Sequence, residues 1–396
     1  MGKVTARAVK RGLTWLGAAG VLAVILVGCA SQPRYRGTAA APFDGTRFYN
    51  SVPAEKSLTD ILTYLATYRL RREAWPAWVH NAHHPAPPPA PAGVTATFIN
   101  HSTVLLDVGG VRILTDPIYA ERASPFRFAG PARVRAPGVP FADLPPIDVV
   151  LLSHDHYDHL DLETLARLHA RDAPLVLAGL GNGALLAAHD IAPHRELDWW
   201  QSVRRHQLTF HFVEVRHRSG RGLLDQMMTL WGGFVIAAPG ARIYFAGDTG
   251  FGPHFAAARQ RFGTFDLCLL PIGAYRPRDF MAPVHLDPAA AVRAHRELGC
   301  RQSIAIHHGT FQLTWEAIDE PYAALAAALA AQGVPPAAFR VLGFGESLVL
   351  PALLGQPLRA AEASQQRVVA APQLAEFVEQ GEPEADPGPV EFEITP

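Results

Sequence analysis

The stretch SHDHYDHLD, residues 153–161, constrains this chain more than any other. It sets His154, His156, Asp158 and His159 within six positions, directly behind the apolar run IDVVLLS at 147–153. A short apolar run bounded by polar residues reads as a buried strand, and a strand that stops in three imidazoles and a carboxylate reads as one wall of a metal site. His154 and His156 are two apart, so on an extended or turning backbone their rings can face the same ion. Asp158 and His159 fall on the next turn and suit a second ion. A structural zinc site closes on four ligands, whereas a catalytic one keeps a position for water. The remaining ligands are therefore expected at other strand ends, and three residues qualify. His217 follows TFHFVEV, Asp248 follows ARIYFAG in the glycine-flanked loop GDTG, and His307 follows SIAI.

The rest of the pattern alternates short strands with helices. TVLLDV, VRILTD, DVVLLS, PLVLA, QLTFHFVEV, GGFVIAA, ARIYFAG, FDLCLLPI and SIAIHH read as strands, and APGA at 238–241 as a hairpin turn. DLETLARLHA spaces Leu162, Leu165 and Leu168 along one helical face, with Asp161 placed to cap it. DPAAAVRAHRELG has Asp287 as N-cap, Pro288 at the first helical position and Gly299 just past the end. Strands and helices in this order predict an α/β protein with helices layered outside sheet.

The ends of the chain differ from its middle. Lys3, Arg7, Lys10 and Arg11 precede an apolar stretch from Leu13 to Val27, the length of a signal-peptide core and short for a bilayer span. Leu26-Val27-Gly28-Cys29 resembles a bacterial lipobox, which implies cleavage before Cys29 and lipid on its sulfur; an uncleaved apolar anchor is the alternative. Ala30 and Ser31 follow in place of an aspartate, so retention in the inner membrane is not signalled. The organisation expected is a leader over 1–28, a tether over 29–57, one catalytic domain over 58–357 and a disordered acidic tail over 358–396. The run PAPPPAPAG at 85–93 reads as a stiff approach to the first strand. Cys268 and Cys300 could pair in an oxidising compartment, but each lies in an apolar segment, and buried free thiols are expected.

HxHxDH with a later His, an Asp in GDTG and a final His resembles the metallo-β-lactamase superfamily, whose fold is an αββα sandwich with two metals at one edge. Within it, TDPIYAERASPFRFAGP, LPPIDVVLLSHDHYDHLD, ELDWW, LWGGFVI, YFAGDTGF, RFGTFDLCLLPIGAYRPRDFM, VHLDPAAAV and AIHHGTF are similar to the N-acyl phosphatidylethanolamine-hydrolysing phospholipase D branch. The similarity runs from about 95 to 347. It implies that His154, His156 and His217 hold one zinc ion and Asp158, His159 and His307 the other, with Asp248 bridging. Two divalent ions, two aspartates and a bridging hydroxide leave a net positive site suited to an anionic phosphodiester, and the hydroxide would be the nucleophile. His285, in VHLDP, matches a family histidine near the substrate phosphate, implying charge stabilisation or proton donation. Arg221 matches a family arginine that could hold the phosphate. His101, in INHST, is read as either supporting a ligand or purely structural.

Two departures bear on substrate choice. After His217 the chain reads RSGRGLLDQ, where the family has a tryptophan and a cysteine before its arginine, and His308 replaces a family tryptophan in the pocket wall. Other histidines, among them His80, His169 and His295, read as surface or core residues. Trp199 and Trp200 read as packing.

These features favour a lipid-anchored dinuclear zinc phosphodiesterase of the bacterial cell envelope, on the periplasmic face of the outer membrane, acting on phospholipids. A lactonase or other small-molecule phosphoester hydrolase on the same scaffold is the alternative. A non-enzymatic binding protein would need a broken ligand set, and this one is intact. The formal net charge is −1 and the pI about 7.0, so no basic field draws the chain to nucleic acid.

Overall fold

The apolar runs pair into two sheets. A computed structural model describes residues 35–53, 58–84, 93–222 and 224–351. Within them one seven-stranded sheet has the order β14 (Ser347–Pro351), β1 (Gly93–Asn100), β2 (Thr103–Val108), β3 (Val111–Thr115), β4 (Val149–Leu151), β5 (Leu175–Gly179), β6 (His194–Leu197). The other runs β13 (Phe339–Arg340), β12 (Cys300–Ile306), β11 (Phe265–Pro271), β10 (Ala241–Phe245), β9 (Gly233–Ala238), β8 (Leu208–Val213), β7 (Ser202–Arg205). Each sheet is half antiparallel and half parallel. β3 to β6 run parallel in the first, and β10 to β13 in the second. β2 and β3 are joined by Gly109-Gly110, both at positive φ (58° and 84°), the two-residue turn whose twist suits a tight hairpin.

Period-two alternation sorts the strand residues between faces. In β4 Val149 and Leu151 enter the core between the sheets, where they join Phe98, Leu106, Phe212, Phe234, Phe245 and Leu269. Val150 and Leu152 face the other way, onto Leu165 and Leu168 of the helix Leu162–Asp172. A third core packs the second sheet against Phe255, Ala291 and Leu325, from the helices His254–Phe262, Pro288–Leu298 and Glu320–Ala331. The result is the expected αββα sandwich. Because β4 is covered on both faces, it reads as a continuous apolar run.

The predicted caps are in place. Asp161 accepts from the backbone N–H of Glu163 and Thr164, and Asp287 from that of Ala290, while Gly299 closes its helix at φ 65°. Trp199 is packed, its indole donating to the Trp231 carbonyl. The helix Leu58–Arg71 was not anticipated; it lays Tyr64 and Tyr68 on the body, their hydroxyls donating to the carbonyls of Leu313 and Gln312.

Two expectations need correction. Cys268 and Cys300 form a disulfide between β11 and β12, their Cα atoms 6.0 Å apart. Both are buried in the helix-covered core, and an apolar setting does not distinguish a thiol from a half-cystine. Residues 35–53 are not a free tether. Phe48 is fully buried in the inter-sheet core, and Ala40 and Ala41 donate their backbone N–H groups to the Asp198 carboxylate. The leader, Cys29, residues 85–92 of the proline-rich run and the acidic tail lie outside the described residues. Among those described, no helix is long and apolar enough to cross a membrane.

Candidate metal centre

Four strand ends meet at one edge of the sandwich. β4 runs into Ser153–His159, and β10 and β12, parallel members of the second sheet, run into Asp248 and His307. β8 delivers His217 a few residues past its end. Parallel strands bring their carboxyl ends to the same edge, which is where side chains from separate segments converge. The approach of the two sheets is tight at Gly247. It sits at φ 58°, and a Cβ there would come within 2.4 Å of Ser153 Cβ. His101 (φ 46°) and His307 (φ 59°) also hold left-handed backbone, uncommon for residues with a side chain, and the His307 N–H donates to the His101 carbonyl at 2.7 Å.

The residues read as ligands lie together in the structure, in two neighbouring candidate groups. His154 Nε2 and His156 Nδ1 are 2.8 Å apart, and His217 Nε2 lies 3.4 Å from His156 Nδ1. In the second group, Asp158 Oδ2 lies 3.3 Å from His159 Nε2 and 3.4 Å from His307 Nε2. Asp248 Oδ2 reaches both groups, at 3.1 Å from His307 Nε2, 3.3 Å from His159 Nε2 and 3.7 Å from His217 Nε2. Buried polar atoms normally have partners. Here His159 Nε2, His307 Nε2 and Asp248 Oδ1 are buried and make no hydrogen bond among the described residues. Donor atoms orphaned together, all imidazole or carboxylate, fit divalent metal ions of the zinc type.

Behind them stands a set of residues that fix ring orientation. Asp116, fully buried at the end of β3, lies with Oδ2 2.6 Å from His159 Nδ1 and accepts from the Ser153 backbone and hydroxyl. His101 Nε2 lies 2.9 Å from Asp158 Oδ2, which makes His101 a support of that carboxylate. His217 Nδ1 lies 2.8 Å from the Val284 carbonyl. Such partners select the tautomer that aims the other nitrogen at a metal. Asp116 was not anticipated, although it too is a polar residue ending an apolar strand.

Burial divides the imidazoles electrostatically. It drives His156 and His217 down to about 3 and His154 well below its usual value, so all three rings are neutral and offer lone pairs at pH 7. Burial also opposes charge on His159 and His307. There it is outweighed by the Asp248 and Asp158 carboxylates, which lift His307 to about 9 and His159 well above the usual range. Against their own burial, the surrounding imidazoles hold Asp158 and Asp248 far below the ordinary carboxylate range.

His285 stands at the mouth of the site with Nδ1 3.7 Å from Asp248 Oδ2, close enough to His217 and Asp248 to complete a third ligand-like group. Its backbone is fixed from outside: Arg278 Nη1 donates to the His285 carbonyl at 2.8 Å, and Arg278 Nε pairs with Asp287 at 2.6 Å. Arg221 is used differently from the expectation. Its Nη1 donates to the carbonyls of Asp155 and Leu160, and its guanidinium lies over the Tyr157 ring. It clamps the ligand loop from behind, its guanidinium engaged by main-chain carbonyls and an aromatic face where a phosphate had been expected. Asp155, buried between the ligands, accepts from the Gly220 N–H and the Thr229 hydroxyl and ties the loop after His217 to the ligand loop. His308 packs flat against Phe98 and points away from the ligand set, toward Tyr322 and the Ala305 carbonyl.

Residues 111–308 match the model of the β-lactamase superfamily domain. An uncharacterized protein of Mycobacterium tuberculosis is 41% identical over 240 residues, 59% of this chain and 64% of that one. N-acyl-phosphatidylethanolamine-hydrolyzing phospholipase D 1 of Caenorhabditis elegans is 39% identical over 233 residues, 56% of this chain and 65% of that one. The chain thus spans less than two thirds of the length of either relative. Among solved structures, the isothiocyanate hydrolase from Delia radicum gut bacteria superposes with a TM-score of 0.53 at 23% identity, covering 65% of this chain and 99% of that one, a likeness of fold.

Proposed function

The chain belongs to the metallo-β-lactamase superfamily, and on that footing we propose that it is a dinuclear zinc phosphodiesterase that cleaves membrane phospholipids in the manner of a phospholipase D. The observation that carries the reading is the position of Asp248, whose Oδ2 lies within 3.7 Å of ligand nitrogens from both groups. In this reading His154, His156 and His217 hold one ion, Asp158, His159 and His307 the other, and Asp248 is shared. When bound, such a pair would activate water and neutralise phosphoryl oxygens.

The chain's own residues supply the rest. Asp116 and His101 keep His159 and Asp158 in register. His285, with its side chain partly open to solvent, is placed to give a ring proton to the departing headgroup oxygen as water adds to phosphorus, leaving phosphatidate and the free headgroup alcohol. The phospholipid substrate is supported by the name of the nematode relative and by the apparent lipobox at Cys29, which would set the enzyme on the membrane it acts on. Export to the periplasmic face of the outer membrane is supported by the leader sequence and agrees with the Cys268–Cys300 disulfide, since such bonds persist in oxidising compartments.

Lipid profiling of the full-length protein incubated with mixed phospholipid vesicles tests this. Release of phosphatidate together with ethanolamine or N-acylethanolamine is expected. Turnover confined to lactones or soluble phosphate esters would move the protein to the alternative hydrolase class.

A further inference from the structure

His217 is the one member of its trio that does not come from the 154–159 loop, so the geometry of that group depends on where residues 216–218 are held. β8 ends at Val213, and beyond it the backbone has left its sheet ladder. At His217 both backbone polar groups are nevertheless satisfied, and by a single side chain. Asn50 Nδ2 donates to the His217 carbonyl at 2.8 Å, and the His217 N–H donates to Asn50 Oδ1 at 3.0 Å. One carboxamide thus imitates a neighbouring strand for His217, while the adjacent Arg216 makes a single antiparallel bridge with Gly250.

Asn50 is itself fixed. Two residues before it, Phe48 is sunk in the inter-sheet core, and its N–H donates to the Met227 carbonyl at 2.8 Å. Three residues after it, the Pro53 carbonyl accepts from Arg216 Nη2. Arg216 is in turn held on its other side, its N–H on the Thr249 hydroxyl and its carbonyl accepting from Gly250, next to Asp248. With Asn50 fixing the His217 backbone and the Val284 carbonyl fixing Nδ1, the direction of Nε2 is determined.

We propose that Asn50 is a positioning residue for the His154, His156 and His217 group, making the 35–53 segment part of the metal centre's frame. The inference rests on the reading of that group as a metal site. An outer partner of a metal ligand typically changes affinity by roughly 10- to 100-fold when it is lost. Asn50 is only half-buried and outside the sheets, so its removal should spare the fold.

The experiment is cobalt(II) titration of the full-length, metal-stripped protein against a competing chelator, with the visible ligand-field spectrum followed at each step. For Asn50→Ala, one of the two binding steps should weaken by roughly 10- to 100-fold with an altered spectrum, the other step staying near wild type. Asn50→Asp keeps an acceptor for the His217 N–H but offers no donor to its carbonyl, and should fall between. Thermal unfolding of the metal-free variants should match wild type. The proposal is overturned if Asn50→Ala binds both ions with wild-type affinity and spectrum, or if both steps weaken equally alongside a destabilised metal-free fold. Wild-type protein that takes up no cobalt would instead overturn the metal-centre reading, and this proposal with it.

Discussion

Asp116 Oδ2 lies 2.6 Å from His159 Nδ1, and the same oxygen accepts the Ser153 hydroxyl at 2.6 Å. Ser153 Oγ is in turn 2.9 Å from His154 Nδ1. One buried carboxylate therefore orients a candidate ligand from each of the two groups. Asp116→Asn keeps the shape and removes the charge, and should weaken metal binding by roughly 10- to 100-fold at both steps of a calorimetric titration. Weakening at the His159 step alone would show that the path through Ser153 does not matter.

The two groups should load with opposite proton bookkeeping. Below about pH 9 His307 carries a proton in the metal-free protein, and the Asp248, Asp158 and Asp116 carboxylates hold the His159 proton well above the usual imidazole range, so an ion entering beside Asp158 has to displace both. Affinity there should fall as pH drops, by about tenfold per unit for each displaced proton. Burial takes His156 and His217 down to about 3 and His154 well below its usual value, so binding between pH 5 and 8 should release no protons from these rings. Calorimetry in buffers of different ionisation enthalpy counts the protons, and equal counts at both steps would contradict the assignment.

Asp248→Asn should abolish turnover and loosen both ions, because Oδ2 reaches both groups. His285→Ala should keep two ions by elemental analysis and lower the rate on an activated bis-aryl phosphodiester by roughly 10²- to 10⁴-fold, the range of a lost acid–base group. Loss of an ion from His285→Ala would make His285 a ligand, a role its 3.7 Å approach to Asp248 also permits.

Phe48→Ala should destabilise the domain by about 3–5 kcal/mol in urea unfolding, the cost of emptying a fully buried phenylalanine site. A linker residue would leave the midpoint unchanged.

Much of the candidate centre was legible because its residues cluster at or just past the ends of apolar runs. His154, Asp248 and His307 announce themselves in this way, and parallel strands then bring such ends to one edge. Asp116 obeys the same rule behind VRILT and could have been read by it. Arg221 could not, because its partners are main-chain carbonyls of residues 155 and 160, which have no signature in the sequence. The disulfide was equally hidden, since it depends on two segments 32 residues apart becoming neighbouring strands. Asn50 and Phe48 were lost in a stretch whose glycines, prolines and polar residues resemble a linker. Their partners lie in segments well over a hundred residues downstream, and only the tertiary fold brings them together.

The early entry of the chain into the fold also sets a length. Six peptide steps separate Cys29 from Tyr35, the first described residue, whose ring packs on Phe43 and Phe48. Fully extended, that is a leash of about 20 Å, against about 100 Å had the chain run free to residue 57. If Cys29 carries the acyl chains, the catalytic body cannot swing out to an opposing bilayer. It would graze the leaflet in which it is moored, and its working concentration of substrate would be set by the lipid composition of that one surface.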